Sequence, residues 1–119
     1  MVNASELLQI WVNAIKNGDP KQVTSLYHQD GILLGTFSAA ERVGHELILD
    51  YFENLLKNPV EVNVISEHSH DFESSAVNSG LYNFVTEGKT INARFSFVYQ
   101  KGNDGWKIVS HHSSVMPET

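Results

Sequence analysis

The spacing of apolar residues changes from helical to alternating near the middle of the chain. Up to Lys57, apolar positions recur every three or four residues, which is typical of helices packed on a core. From Pro59 onward they recur at every second residue, which is typical of strands in a half-buried sheet. The pattern therefore predicts a helical first half and a strand-rich second half.

Local signals place three helices in the first half. Asn3 and Glu6 are spaced to cap the first helix, which should end at Asn17-Gly18. A shorter helix should begin at Asp19-Pro20, because proline is tolerated at the first helical position. The other segments predicted here are a short buried strand at Ile32–Leu34, a polar loop at Thr36–Gly44 and a third helix from about His45 to Lys57.

Four strands are expected in the second half, separated by turn sequences at Glu87-Gly88 and 102–105. Helices segregated from strands in this way predict an α+β fold with an antiparallel sheet. We expect one domain over residues 1–119, in which a strongly curved sheet packs on the three N-terminal helices and encloses a pocket. The predicted strands are Val60–Val64, Ala76–Thr86, Thr90–Lys101 and Trp106–Val115.

Composition narrows the possible functions. Cysteine is absent, which excludes disulfide bonds and thiolate zinc sites. The net charge is −6 and no Lys/Arg cluster occurs, so neither nucleic acid nor an anionic membrane is an expected partner. No apolar run is long enough to span a bilayer and no signal-peptide pattern precedes the first helix, so we expect a cytoplasmic protein.

The last strand carries the candidate chemistry. Trp106 and Ile108 favour burial and Lys107 favours water, so a regular strand points His112 and Ser114 inward with the tryptophan. A bulge between Ile108 and His112 would reverse this assignment.

Two further hydroxyls are expected in the pocket. Tyr51 lies on the buried side of the third helix, and Thr36 follows Gly35 at the end of the short strand. Thr36, Tyr51, His112 and Ser114 then form an uncharged set, which could also be ordinary hydrogen-bonded core groups.

Three other polar residues are weaker candidates for a functional site. Arg94 could bind an anion in the pocket or be solvated. His68 and His70 lie on one side of a strand, but two imidazoles are not a zinc site and the spacing fixes no third ligand. We therefore expect neither a metal nor another cofactor.

Five segments of the chain carry a resemblance to a known family: Leu33–Ser38, Arg42–Gly44, Asp50–Phe52, Ala93–Tyr99 and Asp104–Ser114. They resemble the iota-class carbonic anhydrases, and the similarity extends over nearly the whole sequence. That family shares its nuclear-transport-factor-2-like fold with the association domain of calcium/calmodulin-dependent kinase II.

The resemblance implies a homodimer of cone-shaped domains that hydrates carbon dioxide to bicarbonate. Its site residues would be Thr36, Tyr51, His112 and Ser114, while the motif spacing also allows His111 with Ser113. Members are described with and without a metal, and this chain is expected to be of the metal-free kind. His112 would then act as general base, while the three hydroxyls orient the water and the nascent bicarbonate.

Two other functions compete with this one. A non-catalytic association domain would expose an apolar sheet face, which Phe95, Phe97 and Tyr99 could supply. Apolar residues such as Phe95 or Phe97 would hold carbon dioxide if they lined the pocket. An isomerase or hydrolase of an apolar substrate would need a large cavity and a carboxylate base, and the predicted inward faces offer no carboxylate.

Overall fold

The structure is a computed structural model and describes residues 2–118. Helices dominate up to Leu55 and strands after it, as the hydrophobic pattern predicts. The elements are α1 (Ala4–Asn17), α2 (Pro20–Thr24), β1 (Tyr27–Leu34), β2 (Arg42–Val43), α3 (His45–Leu55), β3 (Val60–Asp71), β4 (Ser75–Thr86), β5 (Lys89–Gly102) and β6 (Gly105–Val115).

The helix ends follow local signals. The Asn3 side chain accepts a hydrogen bond from the backbone N–H of Glu6 at 2.9 Å, and Gly18 ends α1 with a φ of 75°. Asp19 caps α2 by accepting from the N–H of Lys21. The predicted boundaries of α1 and the start of α2 are therefore confirmed.

Six strands form one sheet in the order β2-β1-β6-β5-β4-β3. All neighbouring pairs are antiparallel except β1 and β6, which run parallel. The sheet is curved over the helices without closing into a barrel. The α+β architecture is thus the one predicted from the sequence.

Two strands are longer than predicted, and most of their extra residues are polar and at least partly exposed. β1 begins at Tyr27 instead of Ile32, and residues 28–30 of this extension face largely outward. β3 continues past Val64 to Asp71, with a register shift between Val64 and Ser66. Exposed strand residues lack the alternation of apolar and polar positions that reveals a buried strand.

A bulge in β6 changes the side chains that point inward. Tyr99 of β5 pairs with Ile108, but its neighbour Val98 pairs with Ser110, so Val109 is the extra residue. After this bulge His111 and Ser113 are buried, at 2% and 4% exposure.

The prediction that His112 and Ser114 point inward is therefore wrong. His112 is exposed and Ser114 is only half-buried. His111 and Ser113 occupy the inward positions instead, because the bulge shifts the alternation by one residue.

The inner face of the sheet is aromatic and fully packed. Phe95, Phe97 and Tyr99 are all buried. The ring of Phe97 stacks on Tyr99 with centroids 5.6 Å apart and meets Trp11 of α1 edge-on at 5.3 Å. These residues therefore do not supply the exposed apolar face that a non-catalytic association domain would need. Across residues 2–118, no helix combines the length and apolar character needed to cross a bilayer.

Candidate active site

An open pocket lies where the loop after β1 meets the end of β6. Its volume is about 240 Å³, and we call it the rim pocket. Three of the predicted site residues, Thr36, His112 and Ser114, line it together with Ser113. The structure therefore brings these residues to one place, although His112 and Ser114 reach it from the outer side of β6.

A much smaller space lies inside the core. This inner cavity has a volume of about 10 Å³, close to the minimum for one water molecule. Tyr51, His111 and Ser113 contribute its polar groups, and the rest of the wall is mostly aromatic and leucine side chains. Since Ser113 also lines the rim pocket, it separates the inner cavity from solvent.

A series of hydroxyl contacts connects the rim pocket with the core. The Oγ1 of Thr36 lies 2.5 Å from the Oγ of Ser113, which in turn accepts a hydrogen bond from the Tyr82 hydroxyl at 2.5 Å. The same Tyr82 oxygen lies 3.2 Å from Nε2 of His111. Strands β4 and β6 and the loop after β1 are therefore joined through these side-chain contacts.

His111 lies at the centre of this polar group and is enclosed by aromatic rings. Its Nδ1 lies 2.7 Å from the hydroxyl of Tyr27, which accepts from the indole N–H of Trp11 at 3.1 Å. The Phe97 ring stacks on the imidazole, with centroids 3.8 Å apart. Burial, with a smaller contribution from nearby His112, lowers the pKa of His111 from 6.5 to about 3.

His111 is therefore a neutral imidazole at physiological pH, with one N–H and one lone pair. Both ring nitrogens already have partners. A side chain in this state can hold and orient hydroxyl groups, but it is a poor general base near neutral pH.

Tyr51 is near these groups but outside the series. Its hydroxyl accepts from the N–H of Phe37 at 3.3 Å, and no hydrogen bond joins it to Ser113 among the described residues. Burial raises the pKa of Tyr51 to about 12, an effect that the Phe37 N–H and the charge of Arg42 partly offset. Tyr51 is thus an uncharged phenol that faces the inner cavity from α3.

Comparison with known proteins places the chain in a family. Residues 3–117 match the calcium/calmodulin dependent protein kinase II association domain family. The chain belongs to this family. A search of curated proteins gave no significant match.

Solved structures agree with that assignment. A candidate association domain of this family from Xanthomonas campestris is 36% identical, with a TM-score of 0.90 over 97% of this chain and 86% of the other. More distant structures share the nuclear-transport-factor-2-like fold. They are a candidate dehydratase from Streptomyces avermitilis (16% identity, 98% and 95% coverage, TM-score 0.86) and a candidate ketosteroid isomerase from Parabacteroides distasonis (20%, 93% and 86%, 0.80).

The remaining sequence candidates do not line the rim pocket. Arg94 is exposed on the outer face of β5, opposite Ser114 in register. His68 and His70 are exposed on β3, where they pair with Ser79 and Val77. Across the described part of the chain, no three His, Asp or Glu side chains are grouped to hold a metal ion.

Three residues of the polar group escaped the sequence analysis. Tyr82 lies two residues before buried Phe84 on β4, so both side chains point to the same face. This spacing could have identified Tyr82 as an inward-facing phenol. Tyr27 begins β1, five residues before the start of the strand predicted at Ile32. The part played by Trp11 depends on a tertiary contact with Tyr27, for which the sequence carries no local signal.

Proposed function

We propose that this association-domain relative is a carbonic anhydrase that hydrates carbon dioxide reversibly in the rim pocket. The observation that carries the proposal is the Thr36–Ser113 hydroxyl pair, which is hydrogen-bonded to Tyr82 and through it to His111. The exposed imidazole of His112 lines the same pocket. The resemblance of residues 33–38 and 104–114 to the iota class favours the same activity.

The central difficulty of the reaction is the proton of the attacking water. Generating free hydroxide at neutral pH costs about 12 kcal/mol, since bulk water has a pKa of about 15.7. The proton must therefore leave as the C–O bond forms, under general-base catalysis.

His112 is the base in this proposal. It lines the rim pocket and is exposed, so it can accept the proton from the attacking water and release it to solvent. His111 is unsuited to this task because burial lowers its pKa to about 3 and both its nitrogens are engaged.

The hydroxyls stabilise the charge that develops on the carbon dioxide oxygens. Thr36 lines the rim pocket, and its hydroxyl is hydrogen-bonded to that of Ser113. Ser114 lines the same pocket. Donors fixed before the reaction stabilise a developing oxyanion without reorganising. Tyr51 would influence the site through the inner cavity instead of contacting the substrate in the rim pocket.

An isomerase or hydrolase of a large apolar substrate is less well supported. The enclosed space beside His111 holds about one water, and no carboxylate is found among the described residues that line the rim pocket. A wider cleft of about 450 Å³ lies beyond Tyr51, but its carboxylate, Glu87, is exposed in the β4–β5 turn.

A homodimer is part of the same proposal. The outer face of β4 and β5 carries Val77, Leu81 and Val98, each half-buried in the single chain. Burying this face against a second copy would remove apolar surface from water, in keeping with the name of the family. Light scattering at micromolar concentration should give twice the chain mass, and a mass of one chain would exclude the dimer.

The activity is tested by stopped-flow hydration of carbon dioxide. Thr36→Val keeps the shape of the side chain and removes its hydroxyl, so the rate should fall about tenfold or more. Thr90→Val is the matched control, because Thr90 is exposed on β5 away from the pocket, and it should keep the wild-type rate. A wild-type rate no faster than buffer alone would overturn the proposal.

A further inference from the structure

We infer that each group in one series of side chains donates a hydrogen bond to the next: Trp11, Tyr27, His111, Tyr82, Ser113 and Thr36. Thr36 then presents its own hydrogen to the rim pocket, which selects small oxyanions. The inference deepens the proposed function and rests on it for the identity of the oxyanion, bicarbonate. Trp11, Tyr27 and Tyr82 become positioning residues, because they act on the pocket through His111 and Ser113.

The direction is first fixed at the tryptophan end. An indole N–H can only donate, so the Tyr27 oxygen accepts from Trp11. The one hydrogen of Tyr27 then needs an acceptor, and its other hydrogen-bond neighbour within residues 2–118 is Nδ1 of His111. Tyr27 is 1% exposed, so bulk water cannot replace that acceptor. A neutral His111 must therefore carry its hydrogen on Nε2.

The opposite end gives the same answer independently. The geometry between Tyr82 and Ser113 makes the phenol the donor, which uses its only hydrogen. The Tyr82 oxygen can then only accept from Nε2 of His111. Two separate contacts thus assign the same tautomer.

The contact between Ser113 and Thr36 determines which hydrogen faces the rim pocket. Ser113 is 4% exposed, and within the described chain its side-chain hydrogen-bond neighbours are Tyr82 and Thr36. Having accepted from Tyr82, it places its own hydrogen on Thr36. The Thr36 hydrogen is then free to point into the rim pocket, where Thr36 is half-buried.

The free Thr36 hydrogen therefore needs an acceptor atom on the ligand. Bicarbonate and other planar oxyanions offer acceptor atoms around most of their edge, whereas a cationic or amide donor would leave the Thr36 hydrogen without a partner. Hydrogen bonds aligned in one direction also polarise each other, which strengthens the terminal donor. The reverse direction would leave the Tyr27 hydrogen buried without an acceptor.

Nitrogen-15 NMR of the His111 ring tests the direction directly. The wild-type protein should show the Nε2–H tautomer at neutral pH, and an Nδ1–H tautomer would overturn the inference without any variant. Tyr27→Phe should allow the second tautomer, because Nδ1 loses its donor. Tyr99→Phe, which removes a buried phenol bound to Asn78, should leave the tautomer unchanged.

The selectivity is tested by titration with nitrate, a planar oxyanion that cannot be hydrated, against guanidinium, a planar donor of similar size. Nitrate should shift the rim-pocket resonances and guanidinium should not. Tyr27→Phe should weaken nitrate binding about fivefold or more, and Tyr99→Phe should not. Equal binding of both ions, or an unchanged affinity in Tyr27→Phe, would overturn the inference. If these results hold but carbon dioxide hydration is absent, the proposed function fails and the oxyanion site remains.

Discussion

The ring of Tyr51 packs against the backbone of Gly35 and lies where a Cβ of this residue would be. The contact fixes the distance between α3 and the end of β1, directly before Thr36. A glycine is needed for steric reasons, since the Tyr51 ring occupies the space of a side chain.

We predict that Gly35→Ala destabilises the protein by about 1–3 kcal/mol, because Tyr51 must move within a packed core. Urea unfolding measures the loss, and hydration should fall with it as Thr36 shifts. Gly102→Ala is the control, because a Cβ there meets no atom within 4 Å. Equal stability of the two variants would show that the ring can move freely.

Replacing His112 should affect mainly activity, whereas replacing the adjacent His111 should affect both stability and activity. His112→Ala should lower hydration by about 10²-fold or more with little change in stability, and added imidazole should restore part of the rate. His111→Ala should lower stability and activity together, because it removes a buried ring that holds Tyr27 and Tyr82. Imidazole cannot reach that position.

The kinetic and unfolding assays on both variants check this difference. An active His112→Ala protein would exclude His112 as the base. Rescue of His111→Ala by imidazole would place the proton acceptor in the core instead.

The sequence was sufficient to locate the three helices and the long strands, but it did not reveal β2, the full lengths of β1 and β3, or the phase of β6. Asn3, Gly18 and Pro20 mark helix ends through short-range chemistry, and period-two alternation locates β4 and β5. In residues 109–114, Val109 is followed only by serine and histidine, so hydrophobicity does not show which face is buried. The bulge at Val109 is decided by pairing with β5 and β1, which are distant in sequence.

Burial of His111 was equally hidden, because it depends on tertiary packing. An imidazole is buried at this site since Phe97 covers its face and Tyr27 and Tyr82 bind its nitrogens. The rim pocket was partly predicted because Thr36, His112 and Ser114 do meet there, although the last two belong to the outer side.

Hydration should not depend on a metal. The rim pocket contains one imidazole, His112, and no cluster of three ligands occurs in residues 2–118. Dialysis against a chelator should therefore leave the rate unchanged. Elemental analysis is the companion measurement: about one metal per chain, lost together with activity, would contradict this prediction.

The low pKa of His111 predicts a specific dependence of stability on pH. The folded protein binds this proton only near pH 3, whereas the unfolded chain binds it near 6.5. Between these values the unfolded state carries more protons, so stability is full above pH 6.5 and is lost as the pH falls toward 3. Within the window the loss attributable to this residue approaches about 1.4 kcal/mol per pH unit.

Urea unfolding at pH 7.5, 6, 5 and 4 (about the span of the window) should therefore show a flatter pH profile for His111→Gln than for the wild type. Carboxylates also titrate there, but their contribution is common to both proteins and cancels in the comparison. His70→Gln is the control, because His70 is exposed on β3 and should leave the profile unchanged. Parallel profiles for His111→Gln and the wild type would mean that the buried imidazole is protonated as readily as a solvated one, and its neutral role beside Tyr27 and Tyr82 would have to be abandoned.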